Sequence, residues 1–164
     1  MIGETPRPLA PSPVTVLQAS AEDLDAVMDI MAAAFPPTYG EAWTRSQCAG
    51  ILPMPGVALR LATDARGELA GFSLMRVVAD EAELLLIAVK PETQQQGIGR
   101  ALIDDFIATA TAKRAHRLHL EVREGNPAIA LYERAGFALA GRRRDYYRCQ
   151  DGRAVDALTL VLVA

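Results

Sequence analysis

The stretch that most constrains the fold is "LLLIAVKPETQQQGIGRALIDDF", Leu84 to Phe106. An apolar run of strand composition stops at Lys90. A polar turn with Gly97 and Gly99 follows. Ile98, Leu102, Phe106 and Ala110 then recur at helical spacing, which predicts a helix over about 97–113 with Asp104 and Asp105 facing water. A strand so apolar should be buried on both faces near a sheet centre. The turn offers a ligand the unpaired N–H groups of a helix start, and the helix dipole favours an anion such as pyrophosphate there. The stretch is not a P-loop, because no lysine follows the second glycine. It is not G-x-G-x-x-G either, since position 102 is Leu, and no acidic ribose partner is evident. By itself it fits a ligand-free strand-to-helix turn equally well.

The flanking sequence supplies the partners. "VTVLQA" (14–19) reads as a first strand. Ser20 with Asp23, and Thr44 with Gln47, are capping-box starts of two helices. The first carries Leu24, Val27, Met28 and Met31 on one stripe, and "FPPTYGEAW" (35–43) between the two must be loop. Segments 57–63, 68–78 and 82–89 form an antiparallel meander, and 117–122 is an alternating strand. Asn126 and Pro127 suit the N-cap and first position of a helix that Gly136 ends, and strands at about 137–147 and 153–163 close the chain. The order β-α-α-β-β-β-α-β-α-β-β implies a mixed α/β fold. Its sheet has six to seven strands, is largely antiparallel with some parallel pairing, and carries helices on both faces.

Composition narrows the function classes. With 51% hydrophobic residues the 164-residue chain can fill one core, and residues 14–164 read as a single domain. The proline-rich start, 1–13, reads as a flexible tail rather than a signal peptide. A net charge of −3 gives no reason to expect nucleic acid or a membrane surface. Cys48 and Cys149 make no metal or disulfide pattern, so a cytoplasmic protein without metal is expected.

Two motifs together carry a resemblance. Gln94-x-x-Gly97-x-Gly99 after an apolar strand resembles the Q/R-x-x-G-x-G/A motif of the GNAT superfamily of N-acetyltransferases. "NPAIALYERAGF" resembles that superfamily's N-(x)-A-x-x-L-Y-x-x-x-G-F segment. Over roughly 80–160 the chain is similar to the ribosomal-protein alanine N-acetyltransferases, the RimI type. The resemblance implies the GNAT fold, acetyl-CoA as donor and an amine as acceptor. It implies that Ile87, Ala88 and Val89 bind the pantetheine arm through their backbone, and that Gln94, Gln95, Gln96, Gly97, Ile98, Gly99 and Arg100 cradle the pyrophosphate, with Asn126 a further contact. It also implies that Glu121 is the base and Tyr132 the acid, set to protonate the sulfur. The acceptor implied is the N-terminal alanine of a ribosomal protein; Phe35, Tyr146 and Tyr147 are candidate acceptor contacts, Tyr39 joins them from a loop longer than the family's, and a monomer or homodimer is expected.

Other readings stand beside these. An α-amine with a pKa of about 7.7–8.0 must lose a proton to attack, so a base is needed. Glu121 can also be an exposed strand carboxylate paired with Arg123, and Tyr132 lies on an apolar helix stripe where a core tyrosine is usual. His116 and His119 lack any nucleophile or metal-ligand pattern, the 142–144 arginines suit a solvated strand end, and Trp43 suits packing under the first loop. The chain departs from the family twice. Asn126 to Tyr132 is one position shorter than usual, and "PTYGEA" stands between Pro36 and Trp43, where the RimI pattern has almost nothing. A polyamine- or antibiotic-acetylating enzyme and a non-catalytic acyl-CoA-binding module are the alternatives.

Overall fold

The computed structural model describes residues 14–164, so the expected tail at 1–13 lies outside the described residues. The elements are β1 (Thr15–Ala19), α1 (Leu24–Ala34), α2 (Arg45–Ile51), β2 (Val57–Thr63), β3 (Leu69–Val78) and β4 (Glu81–Val89). They continue with α3 (Ile98–Ala112), β5 (Arg117–Arg123), α4 (Ile129–Arg134), β6 (Ala138–Arg148) and β7 (Ala154–Val163). This is the expected order. Both capping boxes form, Ser20 with Asp23 and Thr44 with Gln47. The first opens a single 3-10 turn, Ala21–Asp23, that leads into α1.

All seven strands join one sheet in the order β1-β2-β3-β4-β5-β7-β6. The neighbours are antiparallel with one exception, and β2–β3, β3–β4 and β6–β7 are joined directly as hairpins. The one parallel pair is β4 with β5, because α3 carries the chain back across the sheet between them. On one face α1 and α2 cover Leu59, Leu61, Phe72, Leu74, Leu86 and Ala88. On the other α3 and α4 cover Met75, Val77, Ala82, Leu84, Leu118 and Leu120.

The β4 strand is not buried on both faces along its length. It serves the two faces in turn. Leu74 of β3 opposes Leu86 while Met75 opposes Leu84, so Leu85 is an extra residue, a β-bulge. The bulge resets the alternation. Ala82 and Leu84 face α3, whereas Leu86 and Ala88 face α1. An unbroken strand would point Leu84 and Leu86 the same way. β4 is the fourth of the seven strands, the central place the sequence predicts, and the cores on the two faces share its apolar run. A second correction concerns α3: Asp104 is exposed, but Asp105 is half-buried and takes the Arg60 Nε at 3.1 Å.

Candidate active site at the β4–β5 opening

Pairing between β4 and β5 runs only from Glu81↔Arg117 to Leu84↔Leu120. Beyond it the strands separate. Backbone N–H and C=O groups alternate between the edges of a strand, so Leu85–Val89 present polar groups to the gap with no strand to take them. The gap widens into two cavities. One, of about 860 Å³, is lined by Ile87, Ala88, Val89, Gln94, Gln95, Gly97, Gly99 and Arg100, and by Leu131 and Arg134 of α4. The other, of about 720 Å³, is lined by Tyr39, Glu83, Glu121, Tyr146 and Tyr147 among others. Phe35, Glu41, Ile87, Arg123, Asn126 and Tyr132 line both. The two spaces therefore adjoin along these residues, the buried Tyr132 among them.

At the far end of the first cavity the chain makes an anion nest. Gln95 and Gly97 both have positive φ, 65° and 84°. Among the described residues the N–H groups of Gln95 through Arg100 find no hydrogen-bond acceptor. Gly97 supplies the left-handed residue that starts α3. Gly99 does something else: a Cβ there would lie 2.9 Å from the Leu131 Cδ2, so this glycine lets α3 and α4 pack closely. Ile98 is buried in the core, which leaves only its backbone for a ligand, and the exposed Gln96 does not line the cavity.

Tyr132 owes its placement to the end of α4. Gly136, at φ 105°, donates to the Glu133 carbonyl, and Phe137 donates to the Tyr132 carbonyl at 3.0 Å. That is a Schellman motif, and its apolar contact is Phe137 edge-on to the Tyr132 ring at 6.4 Å. The ring is buried where the cavities join. Burial, with the Glu41 carboxylate and Tyr147 nearby, raises the phenol pKa well above its ordinary value, so Tyr132 stays protonated and can donate. Asn126 and Pro127 are not the N-cap and first position of α4, whose N-cap is Ala128; Asn126 instead makes an Asx turn ahead of the helix. Its Oδ1 accepts the Ala128 N–H at 2.9 Å, and the regular helix begins at Ile129.

Glu121 faces the second cavity with its side chain 24% exposed. It pairs with Arg143 of β6 at 2.9 Å and not, as the sequence suggests, with Arg123. Arg123 is taken by a residue that local pattern does not reveal, Glu41. The Arg123 Nε meets the Glu41 Oε1 at 3.2 Å, with the two side chains 12% and 9% exposed, and Tyr39 lies under the guanidinium at 3.7 Å. Asn126 donates from its Nδ2 to the other Glu41 oxygen at 3.4 Å. The extra residues of the 35–43 loop thus form a wall between the cavities. The far wall is β6, where two additional residues and a positive φ at Asp145 interrupt pairing between Arg143 and Tyr147. Tyr146 and Tyr147 meet there edge to face at 5.0 Å. Partial burial, then Glu41 and Glu121, push Tyr147 up to about 12. Trp43 combines two roles, packing on the α1 core and lining the second cavity. His116 and His119 line neither cavity. Among the described residues no group of three or more His, Cys, Asp or Glu side chains is placed to hold a metal.

Comparison with known proteins agrees with this architecture. The model of the acetyltransferase (GNAT) family matches residues 24–137. The ribosomal protein bS18-alanine N-acetyltransferase of Escherichia coli is 47% identical over 97 residues, which are 58% of this chain and 65% of that protein. The enzyme of the same name from Salmonella typhimurium is 38% identical over 151 residues, 90% of this chain and 96% of its own. The crystal structure of the ribosomal-protein-S18-alanine N-acetyltransferase from Escherichia coli superposes with a TM-score of 0.81 at 36% identity, covering 92% of this chain and 93% of that one. With the family model spanning all four of its α-helices and four of its seven strands, the chain belongs to the acetyltransferase (GNAT) family.

Proposed function

We propose that the chain transfers acetyl from acetyl-CoA to a primary amine, and that the amine is the N-terminal α-amine of a protein, with the alanine of a ribosomal protein as best match. One observation carries the reading: the β4–β5 opening joins a nest-ended cavity to a carboxylate-bearing one, and a protonated tyrosine stands at the junction. Acetyl-CoA fits the first cavity in kind. A pyrophosphate needs the unpaired N–H groups of Gln95–Arg100, and a pantetheine arm needs strand-like partners such as the free edge of Ile87–Val89. Bound there, it would supply an activated acyl group for transfer.

The residues of the chain do the rest. The amine enters past Phe35, Tyr39, Tyr146 and Tyr147. Glu121, directly or through a water, takes the proton that the ammonium must lose. The nitrogen forms a bond to the thioester carbon, the C–S bond breaks, and Tyr132 gives its proton to the departing sulfur. The RimI-type relatives bear names that specify bS18 alanine, and that supports the acceptor. Both cysteines are free and buried, in keeping with work in a reducing cytoplasm.

The test is an acetyl-transfer assay over N-terminal peptides, with polyamines and aminoglycosides in the same panel. Ala-starting peptides should be acetylated, and Tyr132→Phe should lower kcat by ~10²-fold while acetyl-CoA affinity holds. Transfer to the small amines alone overturns the acceptor. Tight acetyl-CoA binding without any transfer points to a binding module instead.

A further inference from the structure

The Glu121 carboxylate is held from outside the cavity it faces. Strand register places the parts. Glu121 of β5 opposes Thr159 of β7, which in turn opposes Gly141 of β6. The neighbouring row on the same face is Arg123, Ala157 and Arg143. Two strand spacings, about 9–10 Å, separate the β5 and β6 backbones. Between them stand only the short side chains of Thr159 and Ala157, so an arginine can reach across. Arg123 is already taken by Glu41. Glu121 is thereby left to Arg143, whose Nε meets its Oε1 at 2.9 Å, diagonally over β7. Among the described residues no other cation pairs with Glu121.

Arg143 makes this contact without entering the site. Glu121 lines the second cavity, and Arg143 does not. The same guanidinium lies 5.4 Å from the centre of the Tyr146 ring, which does line it. One side chain thus steadies a carboxylate and a wall residue of one cavity from behind. Folding stability gives little reason for the pair. Its side chains are 61% and 24% exposed, and exposed ion pairs contribute little. Placement gives a better one. An unpaired glutamate samples several rotamers, whereas a general base must stay within hydrogen-bond reach of the proton it takes.

We propose that Arg143 is a positioning residue of the transfer, fixing the Glu121 carboxylate where the acceptor amine, or a water that relays its proton, meets it. This rests on Glu121 as the base, and it gives a task to a residue of the arginine run that the sequence reads as a solvated strand end. The experiment is steady-state acetylation of an Ala-starting peptide, or of whichever amine in the panel reacts fastest, by the full chain. Arg143→Ala should lower kcat about tenfold, the scale of a displaced catalytic group. KM for acetyl-CoA should hold, and Tm should stay within about 2 °C of wild type, because the pair is exposed. Arg143→Lys, which keeps the cation, should recover part of the loss. In a Glu121→Gln background Arg143→Ala should cost nothing further, since no carboxylate is left to place. An unchanged kcat in Arg143→Ala, an equal loss with and without Glu121, or an effect confined to the acceptor KM overturns the inference and leaves Glu121 as the base. A wild-type kcat in Glu121→Gln, or no transfer to any amine, removes the base and this role together.

Discussion

The Glu41–Arg123 pair offers the sharpest test of the 35–43 wall. Glu41→Ala removes a carboxylate that holds Arg123 across 82 positions of sequence at 3.2 Å. Both side chains are about nine-tenths buried. Deleting one partner of a buried pair leaves a charge without compensation, at a cost of about 3–5 kcal/mol. Arg123 keeps two favourable contacts, the Tyr39 ring at 3.7 Å and the Glu124 carbonyl at 3.4 Å. A cation over an aromatic ring retains about 1–2 kcal/mol, so a loss of about 2–3 kcal/mol is expected. In a chain of this size each kcal/mol moves Tm by about 2–4 °C, which gives a fall of about 5–10 °C. Thermal unfolding by circular dichroism at fixed pH and ionic strength measures it. Glu41→Ala/Arg123→Met should be less destabilised than the sum of the single variants, by about 1 kcal/mol or more. High salt should change little, since the pair is shielded from solvent. A Tm within about 1 °C of wild type, or an additive cycle, would refute the claim that this pair ties the loop to β5.

Two further outcomes follow from the same site. Glu121→Gln should flatten the limb of the pH–rate profile that reports the base, and an unchanged profile assigns deprotonation to another group or to bulk water. In alkaline titration followed by ultraviolet absorbance, Tyr147 should ionise near pH 12 and Tyr132 only as the fold opens. An unfolded tyrosine ionises near pH 10, so the stability from these two buried phenols is complete below about pH 10 and is lost as pH rises beyond it. Four tyrosines titrating together near pH 10 in a still-folded protein would contradict the burial described above.

Much of this was legible in the sequence because it is local. Capping boxes, the Ile98–Ala110 stripe and the glycine after α4 each depend on residues within a turn or two, and each formed as expected. The two family motifs located Tyr132 and the nest for the same reason, since a Schellman turn and a positive-φ nest are built from neighbouring residues. Tyr39, Tyr146 and Tyr147 do line the second cavity, although nothing in "RRRDYY" announces the interruption at Asp145 that turns them there.

What the sequence alone determined, then, is the order of elements, the two apolar faces they must bury and the chemistry of the two motifs. The tertiary structure decided where that chemistry meets. The bulge at Leu85 and the end of pairing at Leu84 open the sheet between β4 and β5. Glu41 reaches Arg123, Arg143 reaches Glu121, and Arg100 reaches the end of α4. Each depends on strand register and on packing between segments distant in the chain. Hydrophobic periodicity says which face a residue takes, but not which charged side chain, tens of residues away, will stand across from it.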